Sequence, residues 1–380
     1  MNRAITQTLC EVAEIIMGQS PESESYNDKG AGIPFYQGKS DFGEVYPTVR
    51  MYCTSPKKIA MADDILMSVR APIGDVNIAQ EKCCIGRGLA AIRPKAKTNL
   101  KYLFYLLDYY KERLAEQGTG STFKAISKDV LNELRIPIWP LEKQKWVADV
   151  IDEIQTMIFN RKEAFSVLDE LVKSRFVEMF GEPNKMDRWQ CCKVKDVADV
   201  TVGLVIKPTR FYTDDADNGI KAFRSLNVRE MRVNDSDWVY FSKEGNEQNK
   251  KSQLKKGDVL IVRSGYPGTS CVVTDEYVGC NAIDIIIARP NQEKVNPYYL
   301  CAFNNFPHGM NQIQHGTGGA AQKHFNVGAY NDMVIAVPPM KLQNDFVEFM
   351  KQADKSKLAV QQSIDTLQTL KDKLMQDYFG

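Results

Sequence analysis

Glutamine, arginine, lysine, serine and threonine gather on short stretches that lie between the apolar runs of this sequence. The first half carries Gly18-Gln19-Ser20, Tyr36-Gln37-Gly38-Lys39, Ser68-Val69-Arg70 and Gly118-Thr119-Gly120-Ser121-Thr122-Phe123-Lys124. The second half carries Phe223-Arg224-Ser225-Leu226-Asn227, Val262-Arg263-Ser264-Gly265-Tyr266, and Gly316-Thr317-Gly318-Gly319 followed by Gln322 and Lys323. Side chains of these types hydrogen-bond the edges of bases, and Lys, Ser, Thr and backbone N–H groups hold phosphates. Glycines in such loops let the backbone approach a phosphate closely. Arg70 and Arg263, each just after an apolar run, are the two residues expected to touch nucleic acid directly. Tyr36 and Tyr266 could touch thymine methyls or sugars, with packing the plainer role.

Catalytic and cofactor signatures are missing. There is no phosphate-binding G-x-x-x-x-G-K-[ST] loop, and Gly86-Arg87-Gly88 and Gly118-Thr119-Gly120 lack the third glycine of a dinucleotide fingerprint. Asn296-Pro297-Tyr298-Tyr299 comes near the Asn-Pro-Pro-Tyr loop of adenine aminomethyltransferases. It lacks the second proline, no glycine-rich S-adenosylmethionine loop accompanies it, and Asn99-Leu100-Lys101-Tyr102 stands in the matching place as an ordinary helix start. Three histidines and nine cysteines with no C-x-x-C argue against a structural zinc site and a disulfide scaffold. The expectation is reduced thiols in a cytoplasmic protein that uses neither cofactor nor metal. No apolar run reaches the roughly 18 residues of a membrane span, and the first 20 residues do not read as a signal peptide. The net charge of +1 does not advertise a nucleic-acid binder, but binding follows local patches, not the sum.

The elements that must position these loops occur twice. Residues 136–181 and 335–380 align at a constant offset of 199, from Pro140 and Pro339 through Gln144 and Gln343 to Gly181 and Gly380. The segments before them match more loosely: 62–78 echoes 256–273, and 116–127 echoes 314–325. The smaller, drifting offsets there imply loop insertions. About 40 residues of each repeat have helical periodicity, through Val147, Val150, Ile154, Met157, Phe165, Leu168, Val172 and Met179 in the first copy. The second copy runs through Phe346, Phe349, Ala353, Val360, Ile364, Leu367, Leu370 and Leu374. A helix of about 60 Å with one apolar stripe needs a partner, and each copy is expected to pair with the other. The longer segments hold strand-like runs such as DILMSV and DVLIVR between Gly, Pro and Asn, with a helix after Asn99 and its counterpart after Asn296. They read as α+β domains with a curved or barrel-like sheet.

With these residues in view, the chain resembles the specificity (S) subunit of type I restriction–modification enzymes. The matching stretches are Pro140-Leu141-Glu142-x-Gln144, and Leu168-Asp169-Glu170-Leu171-x-Lys173-Ser174-x-Phe176 through Phe180-Gly181. Val12-Ala13-Glu14-Ile15-Ile16-x-Gly18 and Val197-Ala198-Asp199-Val200-x-Val202-Gly203 also match, as do Asp64-Ile65-Leu66 and Gly257-Asp258-Val259-Leu260. Met340 and Lys341 depart from Leu141 and Glu142 of the first copy.

The resemblance implies two tandem target-recognition domains, 1–140 and 182–338, each followed by a helical spacer, 141–181 and 339–380. The two helices would pair as an antiparallel coiled coil with pseudo-two-fold symmetry. It further implies a non-catalytic reader of double-stranded DNA, each domain reading one half of a bipartite target. The chain would dock two methyltransferase (M) subunits and, through the assembled complex, restriction (R) subunits. The helices would set the gap between half-sites. Two other readings remain open: the recognition subunit of a related system with a fused methylase–nuclease partner, and a coiled-coil scaffold binding protein or RNA.

Overall fold

The structure is a computed structural model that describes residues 4–119, 124–183, 185, 188–316 and 325–380. Ser121, Thr122, Gln322 and Lys323 lie outside the described residues. The chain divides into two compact units, Met1–Glu163 with Gln361–Gly380, and Ala164–Val360. Each unit holds one α+β domain, hereafter domain 1 and domain 2. Each also holds half of both 40-residue helices, Leu141–Phe180 and Met340–Phe379. Sequence boundaries that treat the helices as separate spacers therefore cut the chain differently from its packing.

In place of one curved sheet, domain 1 stacks two small ones. The first is antiparallel, in the order Ala13–Met17, Leu89–Pro94, Ile65–Ser68, Val76–Ile78. The second has five short strands, with Ile33–Tyr36 parallel to Cys83–Ile85 at its centre. Side chains alternate along a strand. Ile65, Met67, Ala90 and Ile92 accordingly enter the core shared with the helices, while Leu66, Leu89 and Ala91 face Tyr36, Cys83 and Ile85 of the second sheet. That is why DILMSV is apolar at nearly every position: both faces are covered. Domain 2 repeats this. Val259 and Ile261 join the helix-side core, and Leu260 and Val262 pack with Phe223 and Ala282 between the sheets.

The helix after Asn99 runs Leu100–Tyr109, with Asn99 Oδ1 accepting from Tyr102 N at 2.9 Å. Its counterpart is Pro297–Asn305, capped in the same way by Asn296. Asn296 is thus spent on a helix start, and its amide donates to Asn344 Oδ1 at 2.9 Å.

The long helices are bolted to the domains by one device used twice. Gln144, 1% exposed, accepts from Asn99 N at 2.8 Å and donates to Lys97 O and Trp139 O. Gln343, 0% exposed, accepts from Asn296 N at 2.8 Å and donates to Lys294 O and Pro338 O. Both ends of the amide are satisfied, which makes full burial of such a polar group tolerable.

Within each unit the helices run antiparallel. In unit 2, Asp169 pairs with Lys357 at 2.5 Å, Arg175 lies over Phe349, and Phe176 and Phe180 pack on Phe346. In unit 1, Trp146 packs on Tyr378, and Phe379 enters the core beside Tyr102. Domain 1 is thus completed by the end of the second helix, and domain 2 by the end of the first. Burial is concentrated at those ends. The expected seam positions Met157 and Leu370 stand 50% and 52% exposed. Val147, Ile151, Ile154 and Ile158 form the buried stripe of the first helix in unit 1.

One helix-end clamp is titratable. His308 Nε2–H donates to Gly181 O at 2.7 Å, while the buried Nδ1 has no partner among the described residues. Burial pushes the imidazole pKa below its ordinary 6.5, opposed by the Gly181 bond and Glu182. A base with a depressed folded pKa contributes stability above its unfolded pKa, and that contribution is lost as pH falls through about 6.5 toward the folded value. Acidification over this window is expected to destabilise domain 2 in the wild type. His308→Gln should flatten this part of the pH profile of thermal unfolding. An identical acid slope in the variant would show that His308 is not its source.

Candidate nucleic-acid interface

The polar loops of domain 1 converge on one end of its two sheets. Gln19 N donates to Ile85 O at 3.0 Å, Gly86 N to Tyr36 O at 2.8 Å, and Val69 N to Gly88 O at 2.8 Å. Arg87 N donates to Ser20 Oγ at 3.3 Å, and Arg70 bridges to Ala125 beside Lys124. Two glycines are required by this closeness. A Cβ on Gly18 would sit 2.1 Å from Gly86 O, and one on Gly88 2.3 Å from Gln37 O.

Gln19, Ser20, Gln37, Lys39, Arg70 and Lys124 are therefore brought together. Gln19, Gln37, Arg70 and Lys124 are exposed, and the Arg70 guanidinium has no partner among the described residues. Ser20 is half-buried. Lys39 pairs with Asp75 at 2.9 Å, which Lys111 also approaches at 2.5 Å. With the Lys39 side chain 45% exposed, this pair is weak enough to be exchanged for a phosphate. Tyr36 is 3% exposed and packs in the core, its phenol pKa pushed up to about 12 chiefly by burial. Arg87, exposed in the same cluster, is a residue that the sequence reading missed. Its signal was a cation flanked by two glycines between apolar runs. The cluster gives a local positive patch that the near-zero total charge conceals.

Domain 2 uses the same frame with different chemistry, and two expectations are corrected. By register, Ser68 pairs with Leu89 and Val262 with Ile285. Ile126 N donates to Val69 O, and Phe325 N donates to Arg263 O. Arg263 therefore stands where domain 1 has buried Val69, and Ser264 stands where it has Arg70. A one-residue slip turns a strand side chain to the other face. The Arg263 side chain is 12% exposed, ion-paired with Asp284, and donates from Nε to Phe325 O at 3.2 Å. It ties loops together and is not a free reader.

Asn227, 0% exposed, accepts from Arg224 N at 3.0 Å and donates to Asn234 O and Ser236 O. It does the work of Asp41, which accepts from Gln37 N at 2.7 Å, and does not reach solvent. Arg224 is half-buried and donates from Nη2 to Asp237 O. Tyr266 is 82% exposed. Exposed Val205, Ile206 and Lys207 were missed, with no polar signal to mark the first two.

The frame beneath both interfaces is an ion pair repeated in each copy. Asp64 takes Arg93 Nε and Nη2 at 2.8 Å each, and Asp258 takes Arg289 Nε at 3.2 Å. Among the described residues no group of His, Cys, Asp and Glu is placed to hold a metal, and no disulfide joins any of the nine cysteines. No helix among them is long and apolar enough to cross a membrane.

The chain is thus a repeated α+β domain with paired helices bolted to it, and in domain 1 exposed polar and basic loops meet at one end. The sequence profile of the type I restriction modification DNA specificity domain matches residues 6–164 and 186–369, and the chain belongs to that family. A protein of Methanocaldococcus jannaschii, provisionally named as the MjaX specificity subunit, is 50% identical over 152 residues. That match spans 40% of this chain and 36% of the relative. The MjaIX specificity subunit of the same organism is 22% identical over 96% of this chain and 90% of its own. The EcoBI specificity subunit of Escherichia coli is 19% identical over 90% of this chain and 77% of its own. The crystal structure of an S subunit from M. genitalium has the same fold, with a TM-score of 0.58 and 13% identity over 100% of this chain and 96% of that one.

Proposed function

We propose that the chain is the non-catalytic DNA-reading subunit of a type I restriction–modification complex, each domain recognising one half of a bipartite target. The observation that carries the reading is the convergence of Gln19, Gln37, Arg70, Arg87 and Lys124 on one end of domain 1, repeated as a frame in domain 2. These are donors for base edges and phosphates on loops whose backbone is tied to the sheets. Methylation and cleavage would belong to two methyltransferase subunits and to restriction subunits, docked through the assembled complex. Mapping methylated bases made by the chain with its methyltransferase partner tests this directly. A modified site with two separated specific halves is expected, and methylation without a bipartite site would overturn the reading.

The domains also separate by mutation. Arg70→Ala is expected to weaken specific binding by about 1–3 kcal/mol, the usual worth of a bidentate base contact, and to relax preference in one half-site only. Arg263→Ala should act differently: it removes the partner of Asp284 and lowers the stability of domain 2. Competition binding with base-substituted duplexes and thermal unfolding distinguish the two. An Arg70→Ala variant that relaxes both halves equally would refute one domain per half-site.

A further inference from the structure

We propose that Ile206 and Tyr266 form an apolar tip with which domain 2 reads thymine C5-methyl groups in the major groove of its half-site; this rests on the DNA-reading function proposed above. Ile206 is 74% exposed, Tyr266 82% and Val205 51%. Single exposed apolar residues are ordinary on protein surfaces. Here three stand on two loops that are both tied to the segment Ala282–Asp284. Leu204 N donates to Ala282 O at 2.8 Å and Asp284 N to Leu204 O at 3.1 Å, while the carboxylate of Asp284 holds Arg263, three residues before Tyr266.

The backbone beside Ile206 is in an unusual conformation. Lys207 and Asp284 are non-glycine residues at φ 46° and 49°, and Gly265 lies at φ 87°. Left-handed backbone at a bulky residue is costly and persists where surroundings enforce it, commonly at functional loops. The Arg263–Asp284 pair links the segments from which the two loops extend. The arrangement is specific to this domain. Gly18 N donates to Leu89 O as Gly203 N donates to Ile285 O, which sets Gln19 and Ser20 opposite Leu204 and Val205. At the same place domain 1 thus offers an amide and a hydroxyl, and domain 2 offers aliphatic carbon.

Among the bases only thymine presents a methyl on its major-groove edge. An apolar tip gains by covering that methyl. Against the other bases it would leave polar edge groups unpaired, so the same contact discriminates. Exposed Lys207 stands next to Ile206, and Arg210 lies 4.4 Å from the Phe211 ring, a cationic flank suited to the phosphates on either side. That charge favours duplex DNA over an apolar protein surface as the occupant.

The test uses the chain assembled with its methyltransferase partner and duplexes carrying the mapped site. Deoxyuridine replaces thymine in one half-site at a time, which removes only the methyl. Binding is expected to weaken about four-fold per contacted thymine, the weight of one buried methyl, and in one half-site only. In the Ile206→Gln, Tyr266→Gln double variant the natural duplex should bind weakly by that factor. Deoxyuridine should then have no further effect, with assembly and melting unchanged. A wild type indifferent to deoxyuridine in both halves, a half-site without thymine, or a variant that keeps the deoxyuridine effect would each overturn the proposal. So would a variant that loses only its methyltransferase partner, which would make the tip a protein contact. If the wild-type complex binds no specific duplex at all, it is the DNA-reading function that falls.

Discussion

Phe379→Ala is expected to destabilise domain 1 strongly, more than 200 residues upstream in sequence, while domain 2 keeps its stability. Phe379 is 0% exposed, with its ring 5.2 Å from Tyr102 and 6.0 Å from Tyr109. Its carbonyl accepts from Tyr110 Oη at 2.9 Å. Tyr102 in turn donates to Pro137 O at 2.8 Å, so one aromatic stack joins the helix after Asn99, the strand before the first long helix, and the end of the second. Emptying such a site costs about 3–5 kcal/mol. A domain has about 5–15 kcal/mol to lose, so the damage is a large share of the total. Hydrogen exchange reads it: amides of Leu100–Tyr109 should lose protection and those of Pro297–Asn305 should keep theirs. Phe180→Ala should do the reverse, because Phe180 is 1% exposed and packs 4.8 Å from Tyr299. Loss of protection in both domains for either variant would show that the units do not hold separate helix ends.

The duplication made most of this fold legible. A constant offset from Pro140 to Gly181 marked both long helices, because a proline opens each and Phe-Gly closes each. The strands were legible as apolar runs, though runs buried on both faces carry no alternation to say which residues look which way. That gap explains Arg263. The tripeptides Ser-Val-Arg and Ile-Val-Arg look equivalent, yet Arg70 lies six residues after Asp64 and Arg263 five after Asp258. Counting from the two aspartates that pair with Arg93 and Arg289 would have found the slip.

Other residues had no such marker. Gln144 and Gln343 were visible as repeated letters, but their role depends on backbone atoms 45 and 47 residues away in the chain. Asn227 read as a loop donor and is instead the peg of its own loop. Val205 and Ile206 read as nothing in particular, since apolar residues announce themselves only when the structure leaves them outside. Met157 and Leu370 failed for a related reason. In two-stranded helix pairs only a narrow stripe is covered, so a three- or four-residue step fits several stripes equally well.

That thin middle makes the helices the place to change the reach of the protein. Between Ile158 and Val172 of the first helix, and between Ala353 and Met375 of the second, no residue is fully buried. Four residues inserted near Asn160 add about 6 Å, close to one helical turn, so Ile154 and Val172 keep nearly the same face. In DNA that is about two base-pair steps of 3.4 Å. An insertion in one helix alone leaves the other too short to seat both anchored ends, Phe346 beside Phe180 and Phe379 beside Tyr102. It should therefore destabilise the chain. A matched four-residue insertion near Ile364 should restore stability and give a complex that reads the same two half-sites with about two more unread base pairs between them. Methylation mapping of the doubly lengthened variant decides it. The same gap as the wild type, with the variant folded and active, would mean that the helices do not set the spacing.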